Sequence, residues 1–454
     1  MKRRLLFLAV SVFLFICLAL GVSACGGGDS SSQLDYTLNA EGTGYTITGF
    51  KNGQNKKLFI PDAYRGKPVT EIGDSAFYDC EILEEAVLPS SLKKIGAHVF
   101  TACKNLTKIT VPDSVVEIGK DVFYACERLN ELTVPFLGAN ASAATGSGGV
   151  LSYFFETNPL ATNAVPASLK KVTVTNGSKL GRGAFANCSF ITTVVLPREV
   201  QKIGDQAFYN CSNLKEVSLP DSVLQIGAQA FENCKQLTGI NLPEGLVSIE
   251  EGTFSGCAKL KNFNWPSGLK KIGARAFDGC EAIDAIVIPD TVTEVGKSAF
   301  GYCIGATELT IGSALKRIEE SVFRYCSGFV NILIPDTVES IGLKAFYGCS
   351  ATVSVSIGKG VKTIGSNAFE KCTDLTEVYI GKSVESIEDC AFYGCPKLLT
   401  VVIPLSVTTM GKMVFYNCKN VTFYCEAESV PNGWGSEGYG WEHSGGEIVW
   451  GYKA

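Results

Sequence analysis

Fourteen Phe-x-x-Cys pairs punctuate this chain, and eleven of them form one unbroken series with a period of 23 residues, from Cys188 to Cys418. Cys80, Cys103 and Cys126 form an earlier series with the same spacing. A fixed period in this range marks a solenoid, in which successive units stack and bury one continuous core. The length of 454 residues, 46% hydrophobic, would otherwise suggest roughly two or three globular domains. The repeat overrides that expectation, because each unit contacts only its neighbours.

Residues 203–220 show the whole unit, IGDQAFYNCSNLKEVSLP, or I-G-x-x-A-F-x-x-C-x-x-L-x-x-V-x-L-P. The stretch from Leu214 to Leu219 has the L-x-x-L-x-L form of a leucine-rich repeat. Val217 and Leu219 alternate with Glu216 and Ser218, the pattern of a strand with one face in the core. Pro220 has no amide hydrogen and ends that strand. Asp221 and Ser222 suit a turn whose side chains bond to their own backbone. The Ala-Phe-x-x-Cys stretch has room for about one helical turn, which would point Phe208 and Cys211 inward together. The expected fold is a right-handed, β-rich leucine-rich-repeat solenoid with short helical return turns. It has about sixteen coils over residues 58–424.

The N-terminus reads as a processing signal. Lys2, Arg3 and Arg4 precede an apolar run from Leu5 to Leu20, followed by Val22-Ser23-Ala24-Cys25. Small residues immediately before a cysteine resemble a bacterial lipobox, with residues 1–24 removed and Cys25 acylated. Residues 25–33 then form a Gly/Ser-rich tether. An ordinary signal peptide or a transmembrane helix are the competing readings. Removal of residues 1–24 takes away three positive charges, leaving 37 basic against 45 acidic residues, or −8. No basic cluster points to nucleic acid.

Eighteen cysteines in an exported chain would normally imply disulfides. Here fourteen share one structural position, so their side chains point in parallel rather than toward each other. Reduced cysteine serves well as a small buried hydrophobe, and that is the expectation here. A linear row also fails to converge on a metal. Cys390 and Cys425 stand outside the register, and Cys17 leaves with the signal.

One interruption separates Cys126 from Cys188. Leu129 to Leu169 spans 40 residues and Leu169 to Ile191 spans 22, which places an insert at about residues 136–165. Its Tyr153-Phe154-Phe155 is expected to replace the missing Ala-Phe plug, while its Ala/Gly/Ser-rich part would project. Solenoid ends need caps. Residues 34–57 suit an N-terminal cap, in which Leu34 to Phe50, with Tyr36, Leu38, Tyr45 and Ile47 in alternation, form a hairpin. Residues 425–454 hold Trp434, Trp441 and Trp450, three of the chain's four tryptophans, and suit a C-terminal cap.

The recurring unit resembles the treponemal-type leucine-rich repeat of BspA-like bacterial surface proteins, and the lipobox fits members that are lipoproteins. Departures occur: Thr175, Gly312, Gly358 and Gly381 replace the strand-ending proline, and Glu250, Glu319 and Glu388 replace the glycine. The resemblance implies adhesion to host or bacterial surface proteins or glycans. It carries over no fixed binding motif.

Catalysis finds little to stand on. The chain has two histidines, His98 and His443, and no phosphate loop, zinc spacing or Gly-x-Ser-x-Gly elbow. No cofactor and no small-molecule substrate is expected. Two exposed strand columns remain as binding surfaces. One alternates in charge (Glu85, Lys108, Glu131, Lys171) and would pair across strands. The other grows apolar toward the C-terminus, where Leu333, Tyr379 and Val402, joined by Phe423 from the first column, are the candidate ligand contacts. A tyrosine series (Tyr78, Tyr124, Tyr209, Tyr347, Tyr393, Tyr416) follows the core phenylalanines. The expected function is a lipid-anchored, non-catalytic binding scaffold at a bacterial surface. A structural envelope protein without a specific ligand is the alternative, and an enzyme the third.

Overall fold

The computed structural model describes residues 30–51, 55–143, 150–155, 165–434 and 447–453. Each regular coil contributes two short strands. Glu216–Ser218 and Gln225–Ile226 are one such pair. Equivalent strands of successive coils lie parallel and in register, as in Ala285↔Glu308 and Lys271↔Glu294. The result is a β-solenoid with two rows of mostly parallel strands, each row divided into several sheets, and a return side. Alternation works as the sequence predicts: in Asn331–Ile334, Ile332 and Ile334 are buried while Asn331 and Leu333 face solvent.

The return side departs from expectation. No α-helix occurs among the described residues; the helical segments are short 3-10 turns, Ser30–Gln33 and Leu151–Phe154. In each coil the residue just before the Ala-Phe-x-x-Cys stretch and one residue inside it take positive φ, for example Gln206 (56°) and Asn210 (58°). A left-handed residue interrupts any right-handed helical run. The backbone is satisfied by the next coil instead. The amides of Gln206, Phe208 and Asn210 donate to the carbonyls of Ala228, Ala230 and Glu232 at 2.7–2.9 Å. Phe208 and Cys211 still point inward, so the inward pair was read correctly and the local geometry was not.

The Asp-Ser turns also bond between coils rather than to themselves. Ser222 Oγ donates to the Arg198 and Val200 carbonyls at 2.7 Å. Asp62 Oδ1 accepts from the amide of Ser90 at 2.7 Å and from its hydroxyl at 2.8 Å. The glycine after the inner isoleucine reflects a close backbone approach: a Cβ on Gly119 would lie 2.3 Å from the Ala97 nitrogen. Where Glu388 takes this place, the amide keeps its bond to the Ile364 carbonyl at 2.9 Å, so the coil closes without the glycine.

Inside, the phenylalanines form one stack. From Phe185 to Phe415 neighbouring rings lie 4.9–5.9 Å apart with small interplanar angles. The insert maintains it: Phe154 and Phe155 are buried against Phe123, at 6.3 and 6.1 Å. The strand register absorbs the irregular spacing, pairing Glu131 with Lys171 and Lys171 with Thr193.

The ends are covered. Leu34–Leu38 and Tyr45–Phe50 form an antiparallel hairpin laid beside Lys67–Ile72. Its Tyr36 stacks on Tyr64 at 3.9 Å. At the other end Trp434 is buried, its indole nitrogen donates to the Val407 carbonyl at 3.1 Å, and its ring meets Trp450 at 5.9 Å. Glu447–Trp450 adds a last strand beside Thr422–Cys425. Residues 1–24, Cys25 and most of the tether lie outside the described residues, as do Trp441 and His443. Among the described residues no helix is long and apolar enough to cross a membrane.

Candidate binding faces

The cysteines are the densest chemistry in the chain. All sixteen within the described residues are free thiols. In twelve of them the thiol donates to the carbonyl of the phenylalanine 26 residues earlier, at 3.1–3.6 Å. Cys211, for instance, reaches the Phe185 carbonyl at 3.1 Å. This explains the choice of residue. The position needs a small apolar group, and the thiol adds a second hydrogen bond to a carbonyl that already accepts from an amide of its own coil, as Phe185 does from Cys188. Burial pushes the thiols up except at Cys418, where a hydrogen bond from Cys395 outweighs it, and the rise reaches about 12 at Cys126, Cys257 and Cys372. Such groups carry no thiolate at neutral pH and are poor nucleophiles. His98 is a return-turn residue with φ of 56°, its amide bonded to the Lys120 carbonyl. Among the described residues no three His, Cys, Asp or Glu side chains are grouped to hold a metal ion.

The sheet of longer strands carries the two predicted columns. In the first, Lys57 meets Glu85 at 2.8 Å and Lys108 meets Glu131 at 3.2 Å. These pairs are solvent-exposed and individually worth at most about 1 kcal/mol. The second column is one continuous register, Leu333↔Ser356↔Tyr379↔Val402↔Tyr424↔Val449. Leu333 is 63% and Tyr379 50% exposed. Val402 is half-buried.

Phe423 does not belong to this face. It is fully buried and packs on Phe415 at 4.9 Å. The last full coil is one residue short, as the pairing of Thr400 with Thr422 shows. A one-residue slip sends alternate side chains to the opposite face, so Tyr424 takes the outward place. Four further apolar residues flank the column: Val330, Val353, Leu399 and Leu405 are all exposed. They sit just outside the strands, where strand alternation makes no prediction. Their signal was an aliphatic side chain where other coils carry Lys215, Thr238 or Asp221.

A hollow of about 490 Å³ interrupts the same sheet nearer the middle, lined by Glu216, Ser218, Asp221, Gly239, Asn241 and Asn262. It lies where Glu216–Ser218 ends one sheet and Gly239–Ile240 begins the next. Glycine at 239 removes the side chain that would fill it.

The return side brings together residues that the sequence reading kept apart. Tyr302 and Tyr325 stack at 4.8 Å, and Tyr325 meets Tyr347 edge-on at 5.2 Å. Tyr347 comes from the predicted series one place after phenylalanine. Tyr302 and Tyr325 sit two places after it, at positive φ (56° and 57°). The repeated Phe-x-Tyr-Cys was the available signal. Gly348 makes room, since a Cβ there would lie 2.6 Å from the Tyr325 ring. Arg324 lies over Tyr302 at 4.9 Å, and Lys371 and Lys344 over Tyr347 at 5.0 and 5.9 Å. The Lys371 ammonium also donates to the Tyr347 hydroxyl. Tyr393 and Tyr416 form a separate stack at 5.3 Å.

A family model for the BspA type leucine-rich repeat region matches residues 49–173, 178–307 and 296–422. The chain is 29% identical to a leucine-rich repeat protein from Bacteroides ovatus, across 92% of this chain and 98% of that one, with a TM-score of 0.62. It is 26% identical to the leucine-rich repeat protein of T. pallidum across 56% of this chain and 89% of that one, with a TM-score of 0.25. Identity to a leucine-rich cell surface protein of Faecalibacterium prausnitzii is 24%, across 79% and 96%, with a TM-score of 0.37. Of these three, the Bacteroides ovatus protein superposes closely enough to show the same fold. No curated protein matches the chain.

Proposed function

The chain belongs to the BspA-type leucine-rich repeat family, and from that premise we propose that it is a non-catalytic adhesion scaffold, lipid-anchored through Cys25, that recognises a protein or glycan on a host or bacterial surface. The observation that carries this reading is the in-register column from Leu333 to Val449, with Leu333 and Tyr379 exposed along it and Val330, Val353, Leu399 and Leu405 exposed just outside its strands. An apolar stripe that a soluble surface would otherwise avoid fits a contact site. Parallel strands hold it rigid, so little ordering entropy opposes binding. The buried thiols and the lack of clustered ligands among the described residues favour recognition over chemistry.

Full-length protein in detergent, offered to host matrix, mucin and other bacterial surfaces, is expected to capture a partner. Leu333→Ser with Tyr379→Ala should weaken that capture by about tenfold or more, as loss of a central aromatic contact does. Val402 stands between them in register and should matter less, being half-buried. Unchanged affinity in the double variant would remove the stripe from the account. Intact-mass measurement of the protein extracted from membranes should show residues 1–24 removed and acyl chains on Cys25; an unacylated Cys25 would refute the lipid anchor.

A further inference from the structure

On the return side, we infer a second site, which takes the oxyanion groups of an acidic polysaccharide. It lies on a different face from the apolar stripe and stands whether or not that stripe binds anything.

Four cations gather here, Arg275, Arg324, Lys344 and Lys371, against two carboxylates, Asp278 and Glu370. The local balance is therefore +2 in a chain whose net charge is −5. Both carboxylates are largely enclosed and act as anchors rather than as screens. Asp278 has a side chain only 8% exposed and touches Arg275 at 3.3 Å and Arg324 at 3.6 Å. Glu370, likewise enclosed, accepts from the Asn367 amide and reaches Lys371 at 3.7 Å. The cations project beyond them. Lys344 and Lys371 are exposed and Arg324 is half-exposed.

The tyrosines fix this array and add hydroxyls to it. Tyr302 is 40% and Tyr325 36% exposed. A hydrogen bond to the Tyr347 hydroxyl holds the Tyr325 phenol above its ordinary range and fixes the two rings relative to each other. Arg324, Lys344 and Lys371 stand on three successive coils, which repeat at about 4.8 Å. A cationic group on every coil matches a linear polymer that carries an anion on successive sugars better than it matches a single small ion. Sulfate and carboxylate offer the same recognition chemistry: oxygen acceptors for phenol, ammonium and guanidinium donors. Nucleic acid fits less well, because a single strand also needs open aromatic faces for its bases, and here Arg324, Lys344 and Lys371 lie over the Tyr302 and Tyr347 rings.

The test uses full-length protein in detergent with immobilised dextran sulfate, polygalacturonate, uncharged dextran and poly(dT). Retention on at least one of the two acidic polysaccharides and not on dextran is expected, and which one is retained separates sulfate from carboxylate. Lys344→Gln with Lys371→Gln should weaken that retention at least tenfold with an unchanged melting temperature. The control pair Lys215→Gln with Lys235→Gln removes equal charge from exposed positions elsewhere and should have little effect. Leu333→Ser with Tyr379→Ala should leave it intact. Failure to bind either acidic polymer, equal losses in the two lysine pairs, or binding to poly(dT) as tight as to the polysaccharide would each overturn the assignment.

Discussion

Raising the pH from about 8 to about 11 should unfold this solenoid, and removing core thiols should blunt the transition. A thiol in an unfolded chain loses its proton near pH 8.5. Burial holds Cys126, Cys257 and Cys372 protonated to about 12, and Cys280 and Cys349 well above the usual range. Between those limits the unfolded chain binds fewer protons than the folded one. Stability is therefore complete below the unfolded value and falls as pH rises, by up to about 1.4 kcal/mol per pH unit for each buried thiol. At about pH 10 that is roughly 2 kcal/mol per thiol, and only a few thiols need contribute to match the 5–15 kcal/mol that holds a typical domain together. Pairing with Glu117 and Glu294 raises Lys94 and Lys271 as well, a solvent-screened surface effect that is the same in the native sequence and in a thiol variant. Far-UV circular dichroism against pH, for the native sequence and for Cys257→Ala, Cys280→Ala and Cys303→Ala combined, measures the effect. The triple variant starts less stable but should show the shallower pH dependence. Identical slopes would show that the thiols do not drive the transition.

The second large effect belongs to the phenylalanine stack. Phe277 lies between Phe254 at 5.4 Å and Phe300 at 5.3 Å, with Phe263 at 5.2 Å and Trp265 at 5.5 Å beside it. Phe277→Ala should cost about 3–5 kcal/mol, because stacked coils cannot collapse into the space. Leu224→Ala, on an exposed side chain two coils away, should stay within about 0.5 kcal/mol. Urea unfolding compares them. Since stability in a solenoid is a sum over neighbouring coils, limited proteolysis of the Phe277 variant should cut first near that coil. A loss under about 1 kcal/mol would mean that the stack merely fills space left by the strands.

Much of this was legible in the sequence because the repeat states each structural role many times over. The period located the coils, and alternation identified which of Val217 and Ser218 turns inward. The chain's 40- and 22-residue spacings placed the insert in the register that Glu131, Lys171 and Thr193 adopt. What escaped depended on backbone geometry that side-chain identity does not encode. His98, Arg275, Lys344 and Met413 all share positive φ, yet none is a residue type that announces it. The inward spacing of Phe208 and Cys211 suits a helical turn as well as it suits the left-handed turns that occur. Phe423 was misplaced for a related reason. Loss of one residue from its coil inverts which side chains face out, and Tyr424 stands where Phe423 was expected. The Tyr302, Tyr325 and Tyr347 cluster joins two different offsets from phenylalanine, so a search along a single repeat position misses it.

The central claim is that the Phe-x-x-Cys series builds a reduced, hydrogen-bonded core and leaves function to the surface. Thiol titration of unreduced protein tests it most directly. In denaturant all sixteen described cysteines should react. In the folded state reaction should be confined to the half-buried Cys80 and Cys390. Recovery of only a few thiols from the denatured chain would mean that the series is oxidised and that the account of the core is wrong.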